Sequence, residues 1–254
     1  MNIKMYINNE KWLAGMTMKD EDQLENFNMA LHACQDREAI LQNRRQLARF
    51  LNCELGDFVC AEQTHSANFH QVVHADKGRG ADKLETAVPV TDALYTYEPN
   101  ILLCSFNADC VPVFFYHEPN GVAGVIHSGW QGTVKEISLK LFKHLIHDNQ
   151  CDPNGFHVQI CPALSQEKFE VDEDVYVQYK DLGYADKWIE YNEQTSKYHI
   201  DNQETVKQQC LLAGIPENQI QIDYTCTFQS SDGFSHRQDK QSGRHLCFIM
   251  KKEK

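Results

Sequence analysis

Residues 121–133 read GVAGVIHSGWQGT and decide how the middle of the chain folds. The small apolar run 121–126 predicts a buried strand, and residues 134–146 repeat apolar side chains every three or four positions, as an amphipathic helix does. His127 stands at the end of this strand, and Ser128 and two glycines separate it from the helix. The stretch therefore predicts a strand-to-helix turn that holds a histidine at its start.

The length and charge of the chain limit its domain organisation and its partners. The 254 residues are 42% hydrophobic and 24% charged, as in a globular protein, and we predict a single domain over 1–254. A net charge of −12 disfavours nucleic acid or an anionic membrane as the main partner. No run has the length of a signal peptide or of a membrane span, so a cytoplasmic location is predicted.

The ten cysteines are scattered along the chain and form no CxxC pair. In a reducing compartment we expect most of them to be small buried side chains rather than disulfide partners. A functional role for any one cysteine therefore needs a local reason.

Hydrophobic periodicity predicts an α+β protein with a mixed β-sheet and flanking helices. Helical spacing covers residues 37–51, 133–147, 172–182 and 202–213. Runs rich in Val, Ile, Phe and Tyr predict strands within 57–63, 68–73, 92–97, 101–106, 111–117, 121–127, 156–161, 220–226 and 244–251. Because most strands come first and helices are interspersed later, this order favours α+β over a regular βαβ alternation.

Three polar interruptions of apolar strands carry the candidate chemistry. His65 lies in AEQTHSAN, Cys110 lies in SFNADCVPVFF, and His127 ends the strand at 121–127. Strand ends can fix such side chains around one cavity. Two imidazoles and a thiolate suit Zn²⁺, and a site with three protein ligands leaves a fourth position open for water or substrate. The sequence thus offers a catalytic zinc site, assembled by the fold because long gaps separate the three residues.

Other interpretations of the same residues stay open. Cys110 could be a buried thiol, His127 a residue at a helix entry with Ser128 as N-cap, and His65 an exposed loop residue. A nucleophilic pair is a further alternative: Cys110 would attack, His127 would act as base, and Asp109 or Asn107 would orient the imidazole. Adjacent residues of a regular strand point to opposite faces, which counts against Asp109 and Cys110 sharing one site.

Several segments resemble the YfiH/YlmD-type laccase-domain family. QTHS, NADCVPV and HSGWQGT are similar to the family motifs QVHG, ADC(L/V)P and HAGWRG. Four more segments match in order along the chain: NMALHACQDREAILQNRRQLARFL, TDALYT, CPALSQEKFEVDEDV and FSHRQDKQSGRHL. This resemblance covers nearly the whole chain and implies a CNF/YfiH-like α+β fold.

The resemblance implies an enzyme with one zinc ion held by His65, Cys110 and His127. Its implied activities are phosphorolysis of purine nucleosides, including methylthioadenosine, and deamination of adenosine. Members of the family have also been described as copper polyphenol oxidases and peptidoglycan editing factors, and a Cys–His hydrolase and a nucleoside-binding protein without chemistry remain alternatives. Multicopper oxidases need several copper centres, which disfavours the oxidase. We expect a monomer or homodimer that acts on small molecules.

Candidate substrate residues follow from the same resemblance. Arg44 matches an Asn–Arg pair of the family and is the first choice for phosphate, because a guanidinium can bind phosphate with two parallel hydrogen bonds. Arg237 and Arg244 are further phosphate candidates. Asn28 and Asp92 are expected to hold the ribose or orient a ligand, and Cys110, His127 and Asp109 are the catalytic candidates.

The chain departs from the family motifs at several positions near this chemistry. Gln131 stands where the family usually has Arg, and Ser66 and Cys161 stand where it has Gly. In the closing motif His236 replaces Tyr, Gln238 replaces Arg and Lys240 replaces Gly. None of these positions is a predicted metal donor, so we expect the differences to affect substrate preference and phosphate affinity.

Overall fold

The fold is a stack of four layers in which two mixed β-sheets lie between helices. The structure is a computed structural model and describes residues 1–253. Its strands are β1 (Ile3–Asn8), β2 (Trp12–Thr17), β3 (Phe58–Cys60), β4 (Phe69–Gln71), β5 (Ala93–Thr96), β6 (Leu102–Asn107), β7 (Val111–His117), β8 (Ala123–Ser128), β9 (Phe156–Ile160), β10 (Glu170–Val171), β11 (Ile189–Asn192), β12 (Lys197–Ile200), β13 (Ile220–Ile222) and β14 (His245–Lys251). Its α-helices are α1 (Arg37–Phe50), α2 (Trp130–Val134), α3 (Ile137–Lys143), α4 (Glu173–Lys180) and α5 (Asn202–Leu212).

The strands form two large sheets and one small one. The first sheet has the order β1-β2-β14-β6-β3, and the second has the order β13-β9-β7-β8-β5-β4. Each contains parallel and antiparallel pairs: β3 runs parallel to β6, and β4 runs parallel to β5. A separate sheet has the order β10-β12-β11. The predicted α+β class with mixed β-structure is therefore confirmed, although the chain builds two mixed sheets where one was expected.

The protein has three large hydrophobic cores, and successive residues of an inner strand point alternately into two of them. On β14, Cys247 and Ile249 face the second sheet, whereas Leu246 and Phe248 face α1. On β7, Phe114 belongs to the core between the sheets, while its neighbours on the strand belong to the core under α3 and α5. This period of two is what a strand buried on both faces requires.

The predicted elements agree with the structure where a local repeat is strong. The helix predicted at 37–51 is α1, and the strand predicted at 111–117 is β7. The helix predicted at 133–147 instead begins at Trp130 and is interrupted, because Glu136 adopts the left-handed φ of 62° between α2 and α3. The N-terminal hairpin β1-β2 and the small sheet were not predicted from the sequence.

The candidate site lies where the chain twice crosses from the first sheet to the second. One crossing leads from β3 to β4 through residues 61–68, and the other leads from β6 to β7 through residues 108–110. Both crossings meet the end of β8. This strand pairs with β7, and His127 lies opposite Pro112.

That the chain forms one domain stays a prediction. Within residues 1–253, no helix combines the length and apolar character that crossing a membrane requires.

Candidate metal centre

The structure brings His65, Cys110 and His127 together at this meeting point. One potential ligand atom from each residue lies within 4.8 Å of the other two. The Cys110 Sγ and His65 Nε2 atoms are 3.7 Å apart, and the two imidazole rings lie edge to face with centroids 4.8 Å apart. Three donors at such distances can converge on one ion.

Left-handed backbone at two positions produces this convergence. His65 has a φ of 57°, and Asp109, directly before Cys110, has a φ of 78°. The turn at Asp109 ends the strand alternation between β6 and β7, so Asp109 and Cys110 both line the same cavity. The backbone is not a regular strand at Asp109, so the expectation that Asp109 and Cys110 point to opposite faces was wrong.

Asp92 is the residue that connects two of the donors. Asp92 is fully buried, and its Oδ1 accepts hydrogen bonds from the His127 ring at 2.8 Å and from the His65 amide at 3.0 Å. Its Oδ2 accepts from the Ser66 amide at 2.7 Å and from the Ser66 hydroxyl at 2.6 Å. Because His127 Nδ1 donates to Asp92, Nε2 is the ring atom left to bind a metal, and a metal that binds there displaces any proton on Nε2.

These contacts correct two predictions. Asp92, rather than Asp109 or Asn107, orients the His127 imidazole. The Asp92 carboxylate is committed to protein donors on both oxygens, so it is not a ribose-binding group. Asn107 is buried and bonds to the carbonyl oxygen and hydroxyl of Ser105.

The electrostatics of the cluster favour the metal-binding form of the thiol. Burial raises the pKa of Cys110, but the charge of His127 and hydrogen bonds from His127 and His65 outweigh it and lower that pKa to about 6. Burial likewise lowers the pKa of His127, yet Cys110 and Asp92 raise it to about 9. At neutral pH Cys110 is therefore a thiolate paired with a protonated His127; the thiolate is the form that binds a metal ion, and binding displaces the extra proton of His127.

Gly129 leaves the space that an ion among these donors would need. A Cβ atom at Gly129 would lie 2.5 Å from His65 Cδ2 and 2.9 Å from Cys110 Sγ. The φ of Gly129 is −64°, so the backbone alone does not demand glycine there. The residue type is required by the donors that crowd it, and the donor set with this space fits a three-ligand metal site.

Replacing Gly129 with alanine is expected to prevent metal uptake while the protein still folds. The added methyl group would push His65 and Cys110 apart, since neither can keep its position at 2.5–2.9 Å from a carbon atom. We expect the metal content of the purified Gly129→Ala variant, measured by elemental analysis, to fall to a trace.

Gly132→Ala provides the matched control for this substitution. Its Cβ would lie 3.3 Å from the nearest atom, the Ser66 carbonyl oxygen, and would not approach the donors. A full metal content in Gly129→Ala would show that the glycine is not needed to leave room for the ion.

A cavity of about 320 Å³ is lined by two of the three donors, His65 and Cys110. We call it the metal cavity. Trp130, Leu164 and Phe169 form its apolar wall, and His236 and Arg237 lie at its polar side. Asn202, the first residue of α5, also lines it and donates to the Ser128 carbonyl oxygen at 3.2 Å. This combination of a flat apolar wall and a cationic side can accept an aromatic ring that carries polar groups.

Asp109 holds the chain segment on the far side of the metal cavity. Its Oδ1 accepts from the Thr227 hydroxyl at 2.8 Å, and its Oδ2 accepts from the Arg237 amide at 2.6 Å. The Arg237 side chain in turn donates to the carbonyl oxygens of Lys168 and Glu170. Asp109 therefore lies in the predicted site but positions Arg237 instead of His127.

Arg44 does not lie where phosphate could reach it. The side chain is 1% exposed; its Nε donates to the Met29 carbonyl oxygen at 2.8 Å, and its Nη1 donates to those of Gly80 and Ala81. The guanidinium also stacks over the Phe106 ring at 4.8 Å. Its prediction as the phosphate ligand is wrong, because these main-chain acceptors hold the side chain in the interior.

Asn28 also has a structural role in place of the predicted contact with ribose. The side chain is 1% exposed, and its Nδ2 donates to Glu25 Oε2 and to the Ala33 carbonyl oxygen. Its Oδ1 accepts from the amides of Ala30 and Arg244. The prediction for Asn28 is therefore wrong, although the residue anchors the backbone of another candidate, Arg244.

Sequence reasoning missed two groups that support the donors. The Lys135 ammonium donates to the His65 carbonyl oxygen at 2.7 Å, so the left-handed residue is held at its carbonyl as well as at its amide. Ser66 was noted only as a departure from the family motif, yet its hydroxyl contacts Asp92. A pattern of residue types gives no signal for Lys135, because the contact is to a main-chain atom far along the chain.

The comparisons with known proteins agree with this geometry. A sequence profile for "Multi-copper polyphenol oxidoreductase laccase" matches residues 15–252. The chain belongs to this laccase-domain family. Within it, the purine nucleoside phosphorylase YlmD of Bacillus subtilis is 32% identical over 252 residues, which cover 97% of this chain and 91% of that protein. YlmD of Geobacillus stearothermophilus, also named a purine nucleoside phosphorylase, is 34% identical over 248 residues, 95% of this chain and 90% of that protein.

The laccase-domain fold is confirmed by a solved structure. The crystal structure of YlmD from Geobacillus stearothermophilus matches with a TM-score of 0.89 at 32% identity and covers 98% of this chain and 99% of that one. The predicted resemblance to YfiH/YlmD-type proteins is thus confirmed. The family profile and the His65–Cys110–His127 cluster together indicate a metal site in this laccase-domain protein.

Proposed function

We propose that this protein is a zinc-dependent purine nucleoside phosphorylase that also cleaves methylthioadenosine and deaminates adenosine. The observation that carries the proposal is the cluster of two imidazoles and one thiolate, of which His65 and Cys110 line a cavity with an apolar wall and an arginine. Relatives over nearly the full length are named purine nucleoside phosphorylases, which supports nucleosides and phosphate as the substrates.

The donor set favours Zn²⁺ over copper. A Zn²⁺ ion held by His65, Cys110 and His127 would supply a Lewis acid with one position open toward the metal cavity. A blue-copper centre also uses two histidines and a cysteine but adds a weak axial ligand, usually methionine, and no methionine lines the metal cavity within the described chain. Among residues 1–253 one such donor cluster occurs, whereas multicopper oxidases need several copper centres.

The protein groups around the cavity suit a purine nucleoside. Trp130, Leu164 and Phe169 offer apolar surface against which a purine ring can pack. In phosphorolysis a phosphate oxygen bonds to the ribose carbon while the bond from that carbon to the purine nitrogen breaks. The electron pair leaves with the purine, which then takes up a proton. A cationic side chain such as Arg237 or Arg244 would hold the anionic phosphate for this attack.

Adenosine deamination places a different demand on the same cavity. Water adds at the ring carbon that bears the amino group, and ammonia leaves after the amino nitrogen gains a proton. This reaction needs no phosphate, so the residues that bind phosphate should be dispensable for it. The two activities can therefore be separated by substitution.

Product analysis tests the proposed function. The zinc-loaded protein is incubated with phosphate and a panel of adenosine, inosine, guanosine and methylthioadenosine, and the products are separated by chromatography. We expect free base and ribose 1-phosphate (its methylthio analogue from methylthioadenosine) only when phosphate is present, and inosine with ammonia from adenosine without phosphate. The Cys110→Ala variant, prepared in parallel, should yield neither product.

Three outcomes would contradict the proposal. Absence of free base from every nucleoside would exclude the phosphorylase, and calorimetric binding of nucleosides without any product would indicate a binding protein. Turnover of a phenolic substrate by the copper-loaded protein alone would favour the oxidase. The name of the family profile gives that alternative its specific support.

A further inference from the structure

A second and larger cavity adjoins the metal cavity. Its volume is about 700 Å³, and it lies between a segment around residues 25–35 and the loop formed by residues 233–244. We call it the polar cavity. Gly233, Phe234 and Ser235 line the polar cavity, and His236 and Arg237 line the metal cavity. The segment 233–237 therefore runs between the two cavities, and we call it the dividing segment.

The dividing segment is held tightly in place. A Cβ atom at Gly233 would lie 2.0 Å from the Thr227 carbonyl oxygen, so the backbone passes in direct contact with Thr227. The Thr227 hydroxyl donates to Asp109 Oδ1 at 2.8 Å, and the Arg237 amide donates to Asp109 Oδ2 at 2.6 Å. Asp109 thus holds the dividing segment in a fixed position between the two cavities.

Arg244 presents donors to the polar cavity that the protein does not use. Its Nη1 donates to the carbonyl oxygens of Ser242 and Gly243, while its Nε and Nη2 have no hydrogen-bond partner within residues 1–253. The backbone is anchored on both sides, since the Arg244 amide donates to Asn28 Oδ1 at 2.9 Å and its carbonyl oxygen accepts from the Met29 amide. The guanidinium is therefore a half-buried cation at a fixed place.

The charges around Arg244 leave the cavity able to accept an anion. Glu25 is the acid of the facing segment that lines the polar cavity, and its carboxylate already accepts from Asn28 Nδ2 and from the Gln35 amide. Asp239 accepts from the Gln241 amide, and Lys19 pairs with Glu21. Arg244 and Lys240 form no ion pair within the described chain, which is notable in a protein with a net charge of −12.

Two further observations support a ligand site. Glu25, Asn26 and Phe27 adopt left-handed φ values of 45°, 56° and 69° in succession, and strained backbone of this kind clusters at functional sites. Partial burial lowers the pKa of Arg244, and the charges of Cys110 and Asp109 oppose that shift. The guanidinium is therefore within electrostatic reach of the metal cavity.

We propose that inorganic phosphate binds in the polar cavity through Arg244, with Lys240 adding charge. Phosphate binding follows from the geometry of the polar cavity, but its role as the second substrate rests on the proposed function. The metal cavity then holds the nucleoside alone. Arg237, whose Nη1 is bound to two main-chain carbonyl oxygens, holds the dividing segment to the small sheet.

Phosphate titration of three variants tests this assignment. Binding of inorganic phosphate to the zinc-loaded full chain is measured by calorimetry without nucleoside. Loss of charge-assisted hydrogen bonds at Arg244→Gln is expected to weaken phosphate affinity roughly 10- to 100-fold. Arg237→Gln should change the affinity by less than about 3-fold, since Arg237 lines the metal cavity and its Nη1 donates to the carbonyl oxygens of Lys168 and Glu170. Arg45→Gln, in an exposed pair with Glu38, is the control and should change nothing.

The outcomes separate this inference from the proposed function. Unchanged phosphate affinity in Arg244→Gln, or a larger loss in Arg237→Gln, would overturn the assignment. If Arg244→Gln does not fold, Lys240→Gln replaces it, because Lys240 is exposed; it should weaken binding several-fold, and no effect would contradict the proposal. Phosphate binding that depends on Arg244 without release of any base would refute the phosphorylase and leave this site intact. Base release with an unchanged KM for phosphate in Arg244→Gln would refute this phosphate site and leave the proposed phosphorylase intact.

Discussion

The Cys110→Ala variant is expected to lose the zinc ion proposed for this site. The thiolate is one of three protein donors, and the other two are neutral imidazoles, so its removal takes away the negative charge that faces the ion. Structural zinc sites with four ligands release roughly 10–16 kcal/mol on binding, which suggests about 3 kcal/mol per ligand and a loss of about 100-fold or more in affinity. Elemental analysis and competition with a chromogenic chelator measure the stoichiometry and the affinity.

Cys53→Ser is the control for the loss of a thiol as such. Cys53 is half-buried in the turn after α1 and is not part of the donor cluster. Its substitution should leave one zinc ion per chain and the same affinity. Cobalt substitution adds a second readout, because thiolate coordination gives a charge-transfer band that Cys110→Ala should lack. Equal zinc affinity in Cys110→Ala and the parent protein would rule out the proposed donor set.

Replacing Asp92 with asparagine is expected to weaken metal binding and to lower the free energy of unfolding. An amide can supply only one acceptor oxygen, so its NH₂ group would face either the Ser66 amide or the His65 amide and His127 ring. Each buried donor left without an acceptor costs about 1–3 kcal/mol. Loss of the group that fixes a histidine ligand typically reduces metal affinity about 10- to 100-fold.

Asp223→Asn distinguishes a positioning role from a general loss of stability. The Asp223 carboxylate also accepts several hydrogen bonds, from Lys4, Tyr6 and Thr225, but none from a candidate metal donor. Both variants should unfold at lower denaturant concentration, while only Asp92→Asn should bind zinc more weakly. Ser66→Ala removes one of the contacts to Asp92 and should have a smaller effect in the same direction. Parallel losses of zinc affinity in Asp92→Asn and Asp223→Asn would contradict a specific role for Asp92.

Much of the fold could be predicted because its elements repeat locally. The apolar face of α1 and the dense apolar run of β7 are properties of neighbouring residues, and both elements lie where they were predicted. The break at Glu136 depends on how α2 and α3 pack against the rest of the protein, and no periodicity encodes it. The small sheet was missed for a similar reason, since its strands are two to four residues long and are stabilised by partners distant in sequence.

Predictions for the site were accurate where residue type was enough to make them and wrong where they required the environment of the side chain. Donor chemistry is a property of residue types, so His65, Cys110 and His127 could be selected as a set before any geometry was known. A role for Arg44 required knowledge of its environment, because an arginine on a helix can face solvent or enter the core. Three carbonyl oxygens from distant segments make burial of Arg44 favourable, and they are visible only in three dimensions.

The sequence by itself determined the donor types, the main helices and strands, and the family to which the chain belongs. Only the tertiary structure decided that Asp92 connects two donors, that Asn28 anchors Arg244, and that a dividing segment separates two cavities. The physical reason is that the site forms where two crossings between sheets meet the end of β8, with left-handed backbone at His65 and Asp109. Such turns direct side chains through long-range contacts, which local patterns of residues do not specify.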